Sequence, residues 1–285
     1  MPDEAPIPPI LLLGCGRMGA ALLRGWQSQG LAASCVIDPA PVAIDAPHRH
    51  VTDPADLPDG FNPAVIILAV KPQTADAAIA GISHRGTMPD RASTGPATGA
   101  STGGPVVLSI MAGRTLAGLA SAFPSGTAIV RAMPNTPAAI GQGITVACPG
   151  AHVTAAQRSL CDRLLKAVGD TAWVEDEALL DPVTAISGSG PAYIFLLAEL
   201  LEAAGREQGL PPALARQLAR RTVSGAGALL EASPAEESEA LRRAVTSPGG
   251  TTERALAVLM QETAWPENIR TAIEAATQRS RALAG

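Results

Sequence analysis

The chain has 285 residues, of which 47% are hydrophobic and only 2% aromatic, and its net charge is −5. This length suffices for one large or two medium domains with a sizeable core. The negative charge argues against nucleic acid or an anionic membrane surface as a partner, and the scarcity of aromatic residues argues against stacking platforms for bases. The first residues contain no basic n-region, and no apolar run approaches the ~20 residues of a membrane span, so we expect a cytoplasmic protein.

The cysteine pattern also indicates a cytosolic protein. Cys15, Cys35, Cys148 and Cys161 show no paired spacing of the kind that metal sites use. We therefore expect reduced thiols and no metal site.

The first predicted elements form a strand–helix–strand unit. An apolar run at 10–13 predicts a buried strand, and it leads into G-x-G-x-x-G at 14–19 and an amphipathic helix at 20–29. A second strand at 34–38 ends in Asp38, about 20 residues after the glycines, as expected of an acid that binds ribose. In this order the elements favour a dinucleotide site with the pyrophosphate at the helix N-terminus. A tight turn without a ligand is the alternative.

The chain continues as alternating strands and helices up to about residue 175. The strand at 64–70 ends at Lys71 and Pro72, at the sheet edge where such folds bind ligands; Lys71 is either a solvated charge or a neighbour of the cofactor phosphates. Residues 84–105 are rich in Gly, Ser, Thr and Pro, and we expect a low-complexity insertion that forms a flexible surface loop. The alternation implies a largely parallel, doubly wound sheet. The other predicted strands are 106–110, 127–131, 143–147 and 171–175, and the helices are 116–122 and 154–168.

Beyond residue 176 the strand signals stop. We expect a dinucleotide-binding domain at 1–176 and an all-helical domain at 177–285. The helix after Pro191 is apolar almost all round, so packing against another subunit is expected, with burial inside its own bundle as the alternative. The predicted helices are 192–208, 212–232, 235–245, 251–262 and 266–282.

A distinctive turn precedes the helix at 251–262. Pro248 disfavours a helical conformation at Ser247, and the two glycines that follow allow a tight turn. Thr251 and Thr252 then lie at the helix start, where free N–H groups point outward. Such an end, surrounded by hydroxyls, can hold a small carboxylate. An ordinary Ser/Thr-capped helix is the alternative.

Several motifs together resemble the pyrroline-5-carboxylate reductases. They lie at 133–137 (MPNTP), 187–193 (SGSGPAY) and 245–252 (VTSPGGTT), with 14–19 and 69–72 in support. The similarity spans nearly the whole chain, and the segment at 247–252 is highly specific. The resemblance implies a Rossmann-like domain followed by a helical dimerisation domain. It implies reduction of the cyclic imine Δ1-pyrroline-5-carboxylate to L-proline, the last step of proline biosynthesis, by NADPH or NADH. It also implies a homodimer or an assembly of dimers.

The resemblance assigns roles residue by residue. Glu177 stands where the family has an acid near the substrate. Asp38 stands where NADPH-using relatives commonly have Ser or Thr, and Ala244 where some have Asn; an Asn usually found between Asp38 and Val51 has no match, so Asp38 favours NADH. The substrate carboxylate would be held by Ser247, Gly250, Thr251 and Thr252, with Thr252 acting in catalysis. The pyrophosphate would be contacted by Leu13, Gly14, Cys15, Gly16, Arg17 and Met18, and the rest of the cofactor by Ala69, Val70, Lys71, Pro72, Met111 and Ala112.

The distribution of basic residues favours an imine over a ketone or alcohol. The sequence beyond residue 176 contains no His and no Lys, whereas a hydroxy-acid dehydrogenase needs such a base to take the alcohol proton. A protonated C=N bond is already electrophilic, so positioning can supply much of the rate. A hydroxy-acid dehydrogenase of related fold and a non-catalytic nucleotide-binding protein remain the alternatives.

Overall fold

The computed structural model describes residues 6–83 and 104–284. The chain divides into two compact units: one comprises the residues up to Gly188 together with those from Thr277 onward, and the other is Ser189–Ala276. The domain boundary at 176 remains a prediction. The predicted insertion at 84–105 lies outside the described residues, apart from Gly104 and Pro105.

The first unit contains an eight-stranded sheet in the order β3-β2-β1-β4-β5-β6-β7-β8. Neighbouring strands from β3 through β6 are parallel; β7 is antiparallel to β6, and β8 is parallel to β7. The fold class expected from the sequence is confirmed. Strand β3 was not predicted, because its three residues are exposed or half-buried and carry no apolar signal. The strands are β1 (Ile10–Leu13), β2 (Cys35–Ile37), β3 (Arg49–Val51), β4 (Val65–Leu68), β5 (Val106–Ser109), β6 (Ile129–Met133), β7 (Gly143–Pro149) and β8 (Gly169–Trp173).

The apolar side chains of the sheet supply two cores, one on each face. Successive side chains of a strand point to opposite faces, so Leu12 of β1 joins one cluster and Leu11 joins the other. The helices described in this unit flank the sheet or follow its last strand. They are α1 (Arg17–Ser28), α2 (Ala75–Ser83), α3 (Leu116–Ala120), α4 (Ala155–Lys166) and α5 (Leu180–Val183).

Longer helices follow in the second half of the chain. They are α6 (Gly190–Glu207), α7 (Pro212–Ala232), α8 (Ser238–Ala244), α9 (Thr251–Leu259) and α10 (Trp265–Ala284), the last turns of which belong to the first unit. Helices α6 and α7 pack together: a Cβ added at Gly205 would lie 3.3 Å from the Ala215 Cβ. Helix α6 lies wholly within the described residues, and none of its residues is buried. Burial of α6 inside its own subunit is therefore wrong.

One expectation about apolar runs needs correction. The helical run Glu177–Glu207 is long and apolar enough, by length and composition alone, to cross a membrane. The uninterrupted apolar stretches of this run are short, because the residues at 187–191 and Glu199 interrupt them. A core helix of a soluble protein passes the same test, so this is weak evidence for a span.

Candidate active site

The glycine-rich loop after β1 touches the loop after β4. Gly14 has a φ of +89°, and a Cβ there would lie 2.7 Å from the Ala69 carbonyl oxygen and 2.9 Å from Val70 Cγ1. A Cβ at Gly19 would collide with the carbonyl oxygen of Gly14. Only glycine accommodates such a conformation and such close approach. Because β2 and β4 flank β1, this contact lies where the strand order reverses, the place where open α/β sheets bind ligands.

The start of α1 has both room and hydrogen-bond donors. Gly16 is the N-cap and has no side chain that could cap the helix, and a Cβ added there would have no described atom within 4 Å. The first N–H in this turn with an intrahelical acceptor is that of Ala20, which donates to the Gly16 carbonyl. The N–H groups of Arg17, Met18 and Gly19 therefore lack helical partners and suit an anion. These residues fit the pyrophosphate of a dinucleotide.

Asp38 lies against this loop and is held from several sides. Its Oδ2 accepts the Cys15 N–H (2.6 Å) and its Oδ1 accepts the Ala40 N–H (2.8 Å). Its backbone N–H donates to the Val51 carbonyl, and its own carbonyl is 2.9 Å from His50 Nε2. The carboxylate thus both faces the glycine loop and caps the turn at Pro39. Burial, and then the Asp38 charge, raise the pKa of the Cys15 thiol, which keeps that thiol neutral beside the loop.

The loops after β4 and β5 lie side by side. The Ile110 N–H continues the strand pairing to the Leu68 carbonyl (3.0 Å), and Met111 next to it is buried. Lys71 is exposed and precedes a short 3-10 turn at Pro72–Thr74. Arg114 Nη2 donates to the Pro72 carbonyl (3.1 Å) and pairs with Asp76 Oδ2 (2.9 Å). Sequence reasoning missed Arg114, since no spacing pattern marks a contact 42 residues away.

Glu177 has partners in the first unit. Its Oε1 accepts from Arg131 Nη1 and from the Leu116 N–H, both at 2.7 Å. The Arg131 side chain is only 7% exposed, so this pair links β6 to the start of α3 in a partly buried setting. The role of Glu177 near the substrate remains a prediction.

The start of α9 is built by the turn at 247–250. Gly249 has a φ of +72°, and its N–H donates to Glu253 Oε2 (2.8 Å), while the Gly250 N–H donates to the Ser247 carbonyl (3.0 Å). The N-cap is Gly250, and no side chain caps it. The alternative of a Ser/Thr-capped helix is therefore wrong.

This arrangement leaves hydrogen-bond donors available at α9. Arg254 is the first residue of this turn whose N–H has an intrahelical acceptor, the Gly250 carbonyl, so the N–H groups of Thr251, Thr252 and Glu253 lack helical partners. In the part of the chain that the structure describes, the hydroxyls of Ser247, Thr251 and Thr252 make no hydrogen bond. Neutral donors around a helix N-terminus suit a carboxylate.

The structure brings the predicted site residues, except Glu177, together in two groups; Glu177 belongs to the first unit, where it pairs with Arg131. The cofactor residues meet at one edge of the sheet in the first unit, and the hydroxyl residues meet at α9 in the second. All four cysteines are free. Within residues 6–83 and 104–284, no group of three or more His, Cys, Asp or Glu side chains could hold a metal ion.

A glycine loop at the reversal point of a parallel sheet, with an acid after the second strand, defines a dinucleotide-binding protein of Rossmann-like fold. Two family models match the chain: NADP oxidoreductase coenzyme F420-dependent over residues 9–88, and pyrroline-5-carboxylate reductase dimerisation over residues 177–283. The chain is 36% identical to the pyrroline-5-carboxylate reductase of Pseudomonas aeruginosa, with 97% of each chain covered.

Solved structures agree with these matches. The pyrroline-5-carboxylate reductase of Coxiella burnetii has a TM-score of 0.83 at 29% identity, covering 98% of this chain and 99% of that one. The Plasmodium falciparum enzyme, solved with NADP bound, has a TM-score of 0.77 at 26% identity and covers 98% and 100%. The chain belongs to the pyrroline-5-carboxylate reductase family. It is an oxidoreductase with a nicotinamide cofactor and a small-molecule substrate, and it forms oligomers.

Two glycine substitutions separate folding from cofactor binding. Gly14→Ala should destabilise the protein, because its Cβ meets the Ala69 backbone and its φ is unfavourable for alanine. Gly16→Ala should leave the melting temperature nearly unchanged, because its Cβ enters open space, yet it should weaken NADPH binding about tenfold or more by blocking the approach of the pyrophosphate. Thermal melts and fluorescence titration check both. Wild-type affinity in Gly16→Ala would contradict the proposed site.

Proposed function

We propose that this chain reduces Δ1-pyrroline-5-carboxylate to L-proline, with the substrate carboxylate at the start of α9 and with NADH used at least as well as NADPH. The observation that carries this proposal is the pairing, in one chain, of a dinucleotide loop at Gly14–Gly19 with an uncapped, hydroxyl-lined helix start at Thr251. The first suits a nicotinamide cofactor, and the second suits a small carboxylate.

The reduction of a protonated imine does not require a side chain that accepts a proton. When bound, the reduced cofactor supplies a hydride to the carbon of the C=N bond. The substrate nitrogen enters protonated and remains on the product as a basic amine, so no side chain has to take a proton. The absence of His and Lys beyond residue 176 is compatible with this reaction. The contribution of the protein is then orientation of the substrate.

Thr252 is proposed to hold the substrate through its hydroxyl and its N–H. It is half-buried and occupies the second position of α9, next to the free N–H groups. Arg254, two residues later, lies on another face of the helix, because residues two apart on a helix do not face each other. The carboxylate is thus met by neutral donors rather than by that cation.

Thr252→Val tests this role, since it keeps the shape and removes the hydroxyl. We expect kcat/KM for pyrroline-5-carboxylate to fall by about one to two decades, because a charged group short of a partner costs about 1–3 kcal/mol. Thr271→Val, on exposed α10 in the same unit, is the matched control and should change little. Unchanged kinetics in a well-folded Thr252→Val protein would refute the role of the hydroxyl.

The cofactor preference is proposed to depend on Asp38. Its carboxylate lies at the end of β2, held against the glycine loop by the Cys15 N–H, where it can also accept from ribose hydroxyls. The same charge would repel the additional phosphate of NADPH at a distance where salt screens incompletely. The residues from Pro39 to His48 contain no Lys or Arg to compensate, and Arg49 is the first cation.

Cofactor oxidation with pyrroline-5-carboxylate, measured with NADH and NADPH in parallel, tests both the reaction and the preference. We expect proline to form and kcat/KM with NADH to equal or exceed that with NADPH. Asp38→Ser should shift the ratio toward NADPH, whereas Asp45→Ser, an exposed acid in the following loop, should not. Cofactor binding without proline formation would refute the reaction, and a strong NADPH preference that survives Asp38→Ser would refute the role of Asp38.

The oligomer is proposed to be an obligate homodimer, or an assembly of dimers, built through the helical domains. Helix α6 leaves Phe195 64% exposed and Leu200 58% exposed. Such an apolar face needs cover from water. Residues 177–283, which contain this helix, match the dimerisation family model. As the family resemblance implies, the helical domains of both subunits would contribute to each active site.

Disruption of this face should separate the subunits. Phe195→Glu combined with Leu200→Glu should yield a species of lower mass in light scattering and should abolish activity, because charges placed in an apolar interface lose their hydration. Ile140→Glu, which replaces an exposed apolar residue of the first unit outside the range matched by the dimerisation model, is the control. A stable, fully active monomer in dilute solution would contradict an obligate dimer.

A further inference from the structure

Arg114 connects the two loops at the proposed nicotinamide edge of the sheet. It lies between Gly113, the last residue of the loop after β5, and Thr115, which caps α3. Its guanidinium Nη2 reaches across to the loop after β4, where it donates to the Pro72 carbonyl at 3.1 Å and pairs with Asp76 Oδ2 at 2.9 Å. One side chain thus ties together the loops that carry Lys71-Pro72 and Met111-Ala112.

The hydrogen bonds between β4 and β5 end before these two loops, so strand pairing does not connect the loops to each other. The β4–β5 ladder pairs Leu68 with Ser109, and its last continuation is the bond from the Ile110 N–H to the Leu68 carbonyl. Beyond that point the first loop turns into the 3-10 helix at Pro72–Thr74 and the second passes Gly113 toward α3. Gly113 has a φ of +70°, and a Cβ there would lie 3.0 Å from the Leu283 carbonyl oxygen, so the second loop has little freedom on that side.

The carbonyl contact matters more than the ion pair. The Arg114 side chain is 29% exposed, whereas that of Asp76 is 74% exposed. An ion pair with so exposed a partner contributes little to stability. Pro72 has no N–H, so the carbonyl is the one backbone hydrogen-bonding group that this residue itself offers. That oxygen also accepts the Ala75 N–H, and Arg114 adds a charge-assisted bond to it.

We propose that Arg114 is a positioning residue for the nicotinamide cofactor: by bonding the Pro72 carbonyl, it fixes the spacing between the loop at 69–72 and the loop at 111–113. This inference rests on the proposed assignment of those loops to the cofactor. A bound ring must be held within about 0.5 Å for hydride transfer, so loss of the bond should weaken cofactor binding more than it affects folding.

Arg114→Gln is the test, because glutamine is too short to restore the bond. We expect the Kd for NADPH and for NADH, from fluorescence titration, to rise by about tenfold, with the KM for pyrroline-5-carboxylate within about twofold of wild type. In the cofactor-free protein, amide hydrogen exchange should accelerate in both loops, at 69–72 and 111–113. Arg114→Lys, which keeps a donor and the charge, should recover part of the affinity.

Two controls separate positioning from general stability. Asp76→Asn removes the ion pair and keeps the Pro72 bond, so it should change the cofactor Kd by less than about twofold. Arg158→Gln removes another surface ion pair, to Glu175 at 2.8 Å, together with a ring contact to Trp173, and should leave the Kd unchanged. An unchanged Kd in Arg114→Gln, or an equal rise in Arg158→Gln, would overturn the proposal.

Hydrogen exchange in the wild-type protein tests separately whether the loops at 69–72 and 111–113 bind the cofactor. If these loops did not bind the cofactor, NADPH would leave hydrogen exchange at 69–72 and 111–113 unchanged in the wild-type protein. If the loops bind the cofactor but Arg114 does not position them, NADPH slows their exchange in wild type, and Arg114→Gln matches wild type in both exchange and Kd.

Discussion

The parallel pairing of β1 with β2 on one side and β4 on the other is the constraint on which the first unit depends. All four residues of β1 are at most 1% exposed. The strand can therefore sit only in the middle of a sheet covered on both faces. Its carboxyl end must then open at the same edge as those of β2 and β4. The glycine loop, Asp38 and the Ala69 backbone lie at this edge because their strands end there. Close contact of Gly14 with Ala69 holds the first and the last of these together.

Much of this could be predicted because its causes are local. Continuous apolar runs identify buried strands, and the run at 10–13 coincides with β1. Helix α7 occupies the predicted residues 212–232, since Pro211 is its N-cap, Pro212 is its first residue and the segment after Ala232 contains a further proline. The turn at 247–250 was recognisable from its proline and glycines. The fold class, the family and the grouping of cofactor residues at one edge all followed from such signals.

What could not be predicted depends on side chains that meet across long stretches of sequence. Three contacts form only once the backbone has folded. They are the bond of Arg114 to Pro72, the ion pair of Arg131 with Glu177, and the hydrogen bond from the Cys15 N–H to Asp38. The reversal of β7 is similar, because an apolar run carries no direction. Helix α6 is a different case: its apolar circumference indicated burial, but a sequence does not state whether the cover comes from its own chain or from a second one.

The substrate site proposed at the start of α9 would use neutral donors for a substrate that carries a positive charge. Glu253 accepts the Gly249 N–H, so a negative group lies next to the turn, and a substrate carboxylate in the proposed site would have to be held against that charge. A lysine would hold it more strongly, but a cation close to a protonated C=N bond would lower the pKa of that group and favour its neutral, less electrophilic form. Hydroxyls and backbone N–H groups avoid this conflict. In the proposed site they would hold the carboxylate through hydrogen bonds and the helix dipole while adding no full positive charge. A site made of Ser247, Thr251 and Thr252 is therefore suited to an imino acid in a way that a lysine-based anion site would not be.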